Sequence, residues 1–203
     1  MINKNSVFLK FGDYYTVNSN TFKMGIDRRI TKKIAERFKG KKVLETCTGG
    51  GFTTISLAET AEKVITIEIT KKNRDQAMQN VEKAGFIEKV EFILDDCRND
   101  KLLNEVANVD AAFLDPDWDD KGGNHIYKFI GSNTRPPSDE LLNKIMKLTP
   151  NIALILPPFI PEDEFTFLPS HEFQKIYLEN ELALFCLYFG NLMKKEGNTV
   201  LQV

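Results

Sequence analysis

The sequence predicts an α/β fold: a mostly parallel seven-stranded sheet, an antiparallel closing hairpin and helices on both faces. Three observations predict it. Short β-branched runs alternate with helical patterns at the spacing of βαβ units. The first run ends in a glutamate and a glycine cluster, Glu45-Thr46-Cys47-Thr48-Gly49-Gly50-Gly51. The last two runs are separated only by Glu179-Asn180-Glu181, a hairpin turn.

The first twenty residues, rich in Asn, Ser and Tyr, read as irregular or marginal strand. From Thr21 a helical pattern runs through Ile26, Ile30, Ile34 and Phe38 at i, i+4 spacing and stops at Gly40. Val43 to Cys47 is a strand, and Phe52, Ile55 and Ala58 mark the helix after the glycines. Val64 to Ile69 is a strand, and Lys71 to Ala84 a helix closed by Gly85. Val90 to Leu94 is a strand, Lys101 to Ala107 a short helix, and Ala111 to Leu114 a strand stopped by Asp115-Pro116. Ser138 to Leu148 is a helix capped by Ser138. Ile152 to Leu156 is the fifth strand, followed by a proline-rich crossing with no room for a long helix. Lys175 to Leu178 and Leu182 to Phe189 close the sheet. These boundaries give a basic N-terminal extension and helix over 1–40 and an α/β domain over 41–203.

Composition excludes several classes. The chain has 203 residues, 42% hydrophobic and 28% charged, which is ordinary for a folded domain. The longest apolar stretch, Ile152 to Ile160, is broken by Pro157 and Pro158 and is far short of the ~20 residues of a membrane span. No apolar signal segment opens the chain. Cys47, Cys97 and Cys186 form no CxxC pair, so a reducing cytoplasm fits better than a disulfide framework or a zinc site. His125 and His171 are isolated, and no Ser-His-Asp, Walker or metal pattern appears. Charge is uneven: residues 1–42 carry eleven Lys/Arg against Asp13, Asp27 and Glu36. Such a segment suits either a phosphate-bearing partner or a solvated helix face beside a compensating acidic surface.

In a parallel α/β sheet, ligands gather at the carboxyl ends of the strands. After the first strand, Gly49 and Gly51 allow a tight turn and close approach of a ligand. The third glycine of a dinucleotide fingerprint is replaced by Thr54. Glu45 would repel a pyrophosphate there but suits a sulfonium cation; the alternative is a purely structural turn. Glu68 ends the second strand, where it can accept ribose hydroxyls or simply favour the following helix N-terminus. Asp95 and Asp96 end the third, one of them near an adenine edge, with Asp96 favoured. Asp115-Pro116-Asp117-Trp118 ends the fourth. Trp118, the single tryptophan, sits beside Asp117, Asp119 and Asp120 rather than in an apolar run. An aromatic presented there can stack on a planar base, worth ~1–3 kcal/mol, or cover the sheet edge. After the fifth strand, Phe159 either lines a pocket or packs.

Together these motifs resemble the class I S-adenosylmethionine-dependent methyltransferases, and among them the trimethylguanosine synthase family, the RNA cap guanine-N2 methyltransferases. The generic part is Val43-Leu44-Glu45 with Gly49 and Gly51, the strand ending at Glu68, and the strand ending at Asp96. The narrowing part is FLDPDW, ending at Trp118, and the tail KIYLENELALFCLYFGNL. The family usually carries a Ser-Pro-Pro-Trp turn; here Asp115 stands for Ser and Asp117 for the second Pro. The resemblance implies a Rossmann-like fold and methyl transfer from S-adenosylmethionine to an exocyclic amine of a base, guanine N2 in RNA or a cap-like nucleotide. Another amine, on rRNA or DNA adenine or a small metabolite, is the alternative, and a non-catalytic binding module the third. The implied cofactor contacts are Glu45, Thr46, Gly49, Gly51, Glu68, Asp95 and Asp96. Asp115 and the Pro116 carbonyl would accept the amine N–H bonds, Trp118 would clamp the base, and Asp117, Arg28, Arg29 and Lys32 would contact substrate. No metal, membrane or obligate protein partner is implied.

Overall fold

The computed structural model describes residues 2–118 and 127–203, in two units, Met1–Asp110 and Ala111–Val203. Asp119, Asp120 and His125 lie outside the described residues.

In the first unit, helix α1 (Lys4–Phe11) stands where irregular chain is expected. Asn3 caps it by accepting from the Asn5 N–H, and Gly12 ends it in the left-handed region at φ 83°. So short a helix is marginal alone. Packing supplies the rest: Val7 and Phe11 are its buried residues, and Phe11 stacks on Phe52 with centroids 3.6 Å apart. The helix expected as one run from Thr21 is two, α2 (Ser19–Met24) and α3 (Arg28–Ala35). Asp27 divides them, because its carboxylate caps the Arg29 N–H instead of continuing the helix.

Strands β1 (Lys42–Thr46), β2 (Lys63–Glu68) and β3 (Val90–Leu94) pair in parallel in the spatial order 3-2-1. Helices α4 (Phe52–Thr60) and α5 (Lys71–Lys83) connect them, and α6 (Asp100–Glu105) follows β3. Residues Phe52 to Ala58 of α4 are all buried, which explains its apolar run. Register sets Glu45 beside Thr66, and Thr46 beside Ile67.

In the second unit, β4 (Ala111–Leu114) and β5 (Ile152–Leu156) pair in parallel, and every residue of both is buried. Helix α7 (Ser138–Ile145) lies between them in sequence. Ser138 is its first residue and not its cap; the cap position is Pro137, and the Ser138 hydroxyl lies 2.7 Å from that of Ser132. Strand β7 (Glu181–Phe189) runs antiparallel to both β5 and β6 (His171–Leu178). Glu179 and Asn180 make the turn at φ 51° and 71°, the left-handed pair a tight hairpin demands.

The described residues hold eight strands, one more than the seven expected. The addition, β8 (Gly197–Gln202), pairs in parallel with β6. Its Gly-Asn-Thr start conceals it. Buried Glu172 fastens it by accepting from the Thr199 hydroxyl at 2.8 Å and the Lys194 N–H at 2.7 Å.

Candidate functional site

The end of β1 delivers Glu45 and Thr46. Glu45 is buried, and Thr54 Oγ1 donates to its Oε2 at 2.6 Å. Burial pushes its carboxyl up to about 7, against the opposing hydrogen bonds of Thr54 and Thr66. Thr46 is fully buried, and its hydroxyl has no hydrogen-bond partner among the described residues. The chain then turns at Cys47, whose φ of 63° is rare for a residue with a Cβ. Its N–H donates to the Ile67 carbonyl at 2.9 Å, and the Thr48 and Thr66 hydroxyls meet at 2.6 Å. The turn is thereby fixed to β2.

Glu68 completes that fixation. Its Oε2 accepts the Gly49 N–H and its Oε1 the Thr70 N–H, both at 2.8 Å. The glycines have different tasks. At Gly51, with φ 80°, a Cβ would come within 2.9 Å of the Ala77 side chain, so this glycine lets α5 pack close. At Gly49, with φ 57°, the nearest atom would be the Cys47 carbonyl oxygen at 4.0 Å, so its outer side is open to a ligand.

Sequence reasoning missed Asn80. This side chain, 1% exposed, donates from Nδ2 to the carbonyls of Gly50 and Thr16, each at 2.9 Å, and accepts the Thr16 N–H at 2.8 Å. It latches the segment before α2 to the glycine turn. The available signal is its place beside Ala77 and Val81 on the buried face of α5, where an amide must find partners. Gln76, one turn earlier, accepts from Asn18 Nδ2 at 3.0 Å.

At the end of β3, Asp95 accepts from Asn99 Nδ2 at 3.1 Å, whereas Asp96 holds the Arg98 guanidinium at 2.8 Å. The basic segment is tied into its own unit. Arg28 and Lys32 both pair with Glu59, at 2.9 and 3.6 Å, and Arg29 pairs with Asp27 at 3.0 Å. Arg28 also fills the space against Gly12, where a Cβ would lie 2.5 Å from its Nη1.

In the second unit, Asp115, Pro116, Asp117 and Trp118 follow β4, with Pro116 buried and the other three half-buried. Trp118 is thus partly exposed. Its ring meets the buried Tyr127 edge-on, centroids 6.2 Å apart at 90°, and the Tyr127 hydroxyl donates to the Trp118 carbonyl at 3.4 Å. Asp117 and Arg135 form an antiparallel bridge. Phe159 is 71% exposed and so does not pack. His171 is satisfied, its Nδ1 2.8 Å from the Pro169 carbonyl. The three cysteines are unbridged. Among the described residues no His, Cys, Asp and Glu cluster suits a metal, and no helix is long and apolar enough to cross a membrane.

The first unit's residues fit S-adenosylmethionine. The open side of Gly49 admits a ligand, the buried Thr46 hydroxyl lacks a partner among the described residues, and two carboxylates stand at adjacent strand ends.

Solved structures share the fold. A candidate methyltransferase of Porphyromonas gingivalis W83 superposes with a TM-score of 0.74 at 15% identity, over 92% of this chain and 47% of that one. This chain thus spans about half the length of that protein. An rRNA methylase of Streptococcus thermophilus gives 0.53 at 17% identity, over 79% of this chain and 93% of that one. A candidate methyltransferase of Streptococcus mutans, solved in complex with SAH, gives 0.56 at 12% identity, over 80% and 97%. The architecture is that of the Rossmann-like class I methyltransferases. The family model described as RNA cap guanine-N2 methyltransferase matches residues 40–163. That span takes in both the glycine turn and the Asp-Pro-Asp-Trp turn, and the chain belongs to the RNA cap guanine-N2 methyltransferase family.

Proposed function

We propose that this chain methylates an exocyclic amine of a base, guanine N2 in RNA or in a cap-like nucleotide, in the cytoplasm, with 41–203 as the methyltransferase domain and 1–40 as its extension. The observation that carries the reading is the turn after β4, where a half-buried indole, braced by Tyr127, stands two residues after Pro116 in Asp115-Pro116-Asp117-Trp118. The rRNA methylase name among the structural neighbours supports an RNA substrate.

When bound, S-adenosylmethionine would supply the methyl group from a cationic sulfur, with S-adenosylhomocysteine as the leaving group. The chain's own task is positioning. An aryl amine is a poor nucleophile because its lone pair is delocalised into the ring. Acceptors aimed at its two N–H bonds, Asp115 and the Pro116 carbonyl, favour a tetrahedral nitrogen and free that pair. Asp115 then takes the proton the nitrogen releases. Trp118 stacks on the base, and a cationic base gains ~0.5–2 kcal/mol from the ring face. Glu68, Gly49 and Thr46 would hold the cofactor, with Glu45 beneath them, Gly51 letting α5 pack against the turn, and Asp95 or Asp96 at the adenine edge. Arg28, Arg29 and Lys32 contribute positive charge for phosphate.

The test is incubation with isotopically labelled S-adenosylmethionine and capped or uncapped RNA, followed by nucleoside mass spectrometry. N2-methylguanosine is expected. A methylated adenine would move the substrate to the second reading, and no cofactor binding at millimolar concentration would leave only a binding module.

A further inference from the structure

We infer that Arg135, aimed by Asp117, binds the phosphate of the nucleotide whose base stacks on Trp118, so that the substrate unit is a nucleotide and not a free base or nucleoside. The inference rests on the base-methylation reading and names a specificity residue for it.

Asp117 directs three of its four polar atoms at Arg135, while its Oδ1 is buried without a hydrogen-bond partner among the described residues. Its N–H donates to the Arg135 carbonyl at 2.9 Å, its carbonyl accepts the Arg135 N–H at 2.8 Å, and its Oδ2 accepts from Nη2 at 2.7 Å. The first of these contacts needs an N–H at 117. A proline there would have none, so this contact depends on position 117 carrying an N–H.

The segment carrying Arg135 is held independently. The Ser132 hydroxyl meets those of Thr134 and Ser138 at 3.0 and 2.7 Å, and Thr134 Oγ1 donates to the Pro136 carbonyl at 2.8 Å. The arginine thus leaves a backbone ordered before any ligand arrives, which lowers the ordering cost of binding.

A purely structural pair explains little. The Arg135 side chain is 61% exposed, and an exposed ion pair is worth only ~0–1 kcal/mol. The two backbone hydrogen bonds form without either side chain. What the carboxylate does accomplish is orientation: it holds a planar guanidinium, the group best matched to phosphate oxygens, against Asp117, the residue that precedes the stacking indole in sequence.

Trp118 is the only tryptophan, so its fluorescence reports base stacking directly. The experiment titrates the full chain with guanosine 5′-monophosphate and with guanosine, at low and high salt. At low salt the wild-type protein is expected to bind the monophosphate roughly tenfold tighter, with the advantage shrinking as salt rises. In Arg135→Gln the ratio falls to about one. Arg135→Lys retains part of it, and Lys147→Gln, which removes an exposed cation elsewhere in the unit, leaves it as in wild type. An unchanged ratio in Arg135→Gln overturns the inference. Equal wild-type affinities overturn it without any variant. If neither ligand alters Trp118 emission, the base-stacking reading itself fails, a result distinct from both.

Discussion

The Glu68 carboxylate holds the Gly49 amide at 2.8 Å and so ties the end of β2 to the turn that follows β1. One side chain thereby shapes the glycine turn, and on the proposed reading it also meets the cofactor's ribose. Glu68→Ala is expected to lower S-adenosylmethionine affinity roughly ten- to a hundredfold, the worth of one or two charge-assisted hydrogen bonds. Isothermal titration calorimetry checks this, and an affinity equal to wild type removes Glu68 from the site.

Glu45 gives the chain a pH signature. Burial raises its carboxyl to about 7 from the ordinary value of 4.5. The folded state therefore holds a proton that the unfolded state has lost between those values, so stability falls as pH rises through that window. Below pH 4.5 the effect is absent; above 7 it is complete, on the order of 3 kcal/mol. Glu45→Gln should accordingly raise the melting temperature at pH 8 and leave it unaltered near pH 4. A gain at both, or at neither, contradicts the assignment.

The two left-handed glycines should separate stability from binding. Gly51→Ala meets Ala77 at 2.9 Å in a left-handed backbone, and crowding together with strain costs ~2–5 kcal/mol. Gly49→Ala meets only the strain, ~1–2 kcal/mol, but its new methyl faces the open side of the turn. Thermal melts should show the larger loss at Gly51, and calorimetry a lost cofactor affinity in a still-folded Gly49→Ala.

Asn80 links the segment before α2 to the glycine turn. Asn80→Leu strands the Thr16 N–H and two carbonyls, at roughly 1–3 kcal/mol for each group left buried and unpaired. Hydrogen exchange should then quicken around Tyr15 to Val17 more than in β2. Uniform quickening would mean that Asn80 supports the whole unit and not this latch.

How far the sequence carried depended on where the information lay. Strands β1, β2, β4 and β5 were legible because their apolar runs are buried on both faces, as β4 and β5 are throughout; β3, with only Val90 buried, was legible from its short apolar run between turn signals. The strand-end residues were picked out as candidates by topology, because ligands of parallel α/β sheets gather at the carboxyl ends of strands. Helix α1 was not legible, since its stability comes from the Phe11–Phe52 stack and not from its own pattern. Strand β8 depends in the same way on buried Glu172. The site's cross-links were hidden for a related reason: Asn80 reaches Thr16 across sixty-four positions, and Asp117 reaches Arg135 across eighteen. No local pattern announces either.

The central claim is that the turn after β4 acts on the acceptor and leaves cofactor binding to the first unit. The most direct measurement compares cofactor affinity and methyl transfer in Trp118→Ala and Asp115→Ala. The account predicts that both bind S-adenosylmethionine as the wild type does while transfer falls by roughly a hundredfold or more. Transfer at the wild-type rate in both variants would contradict it.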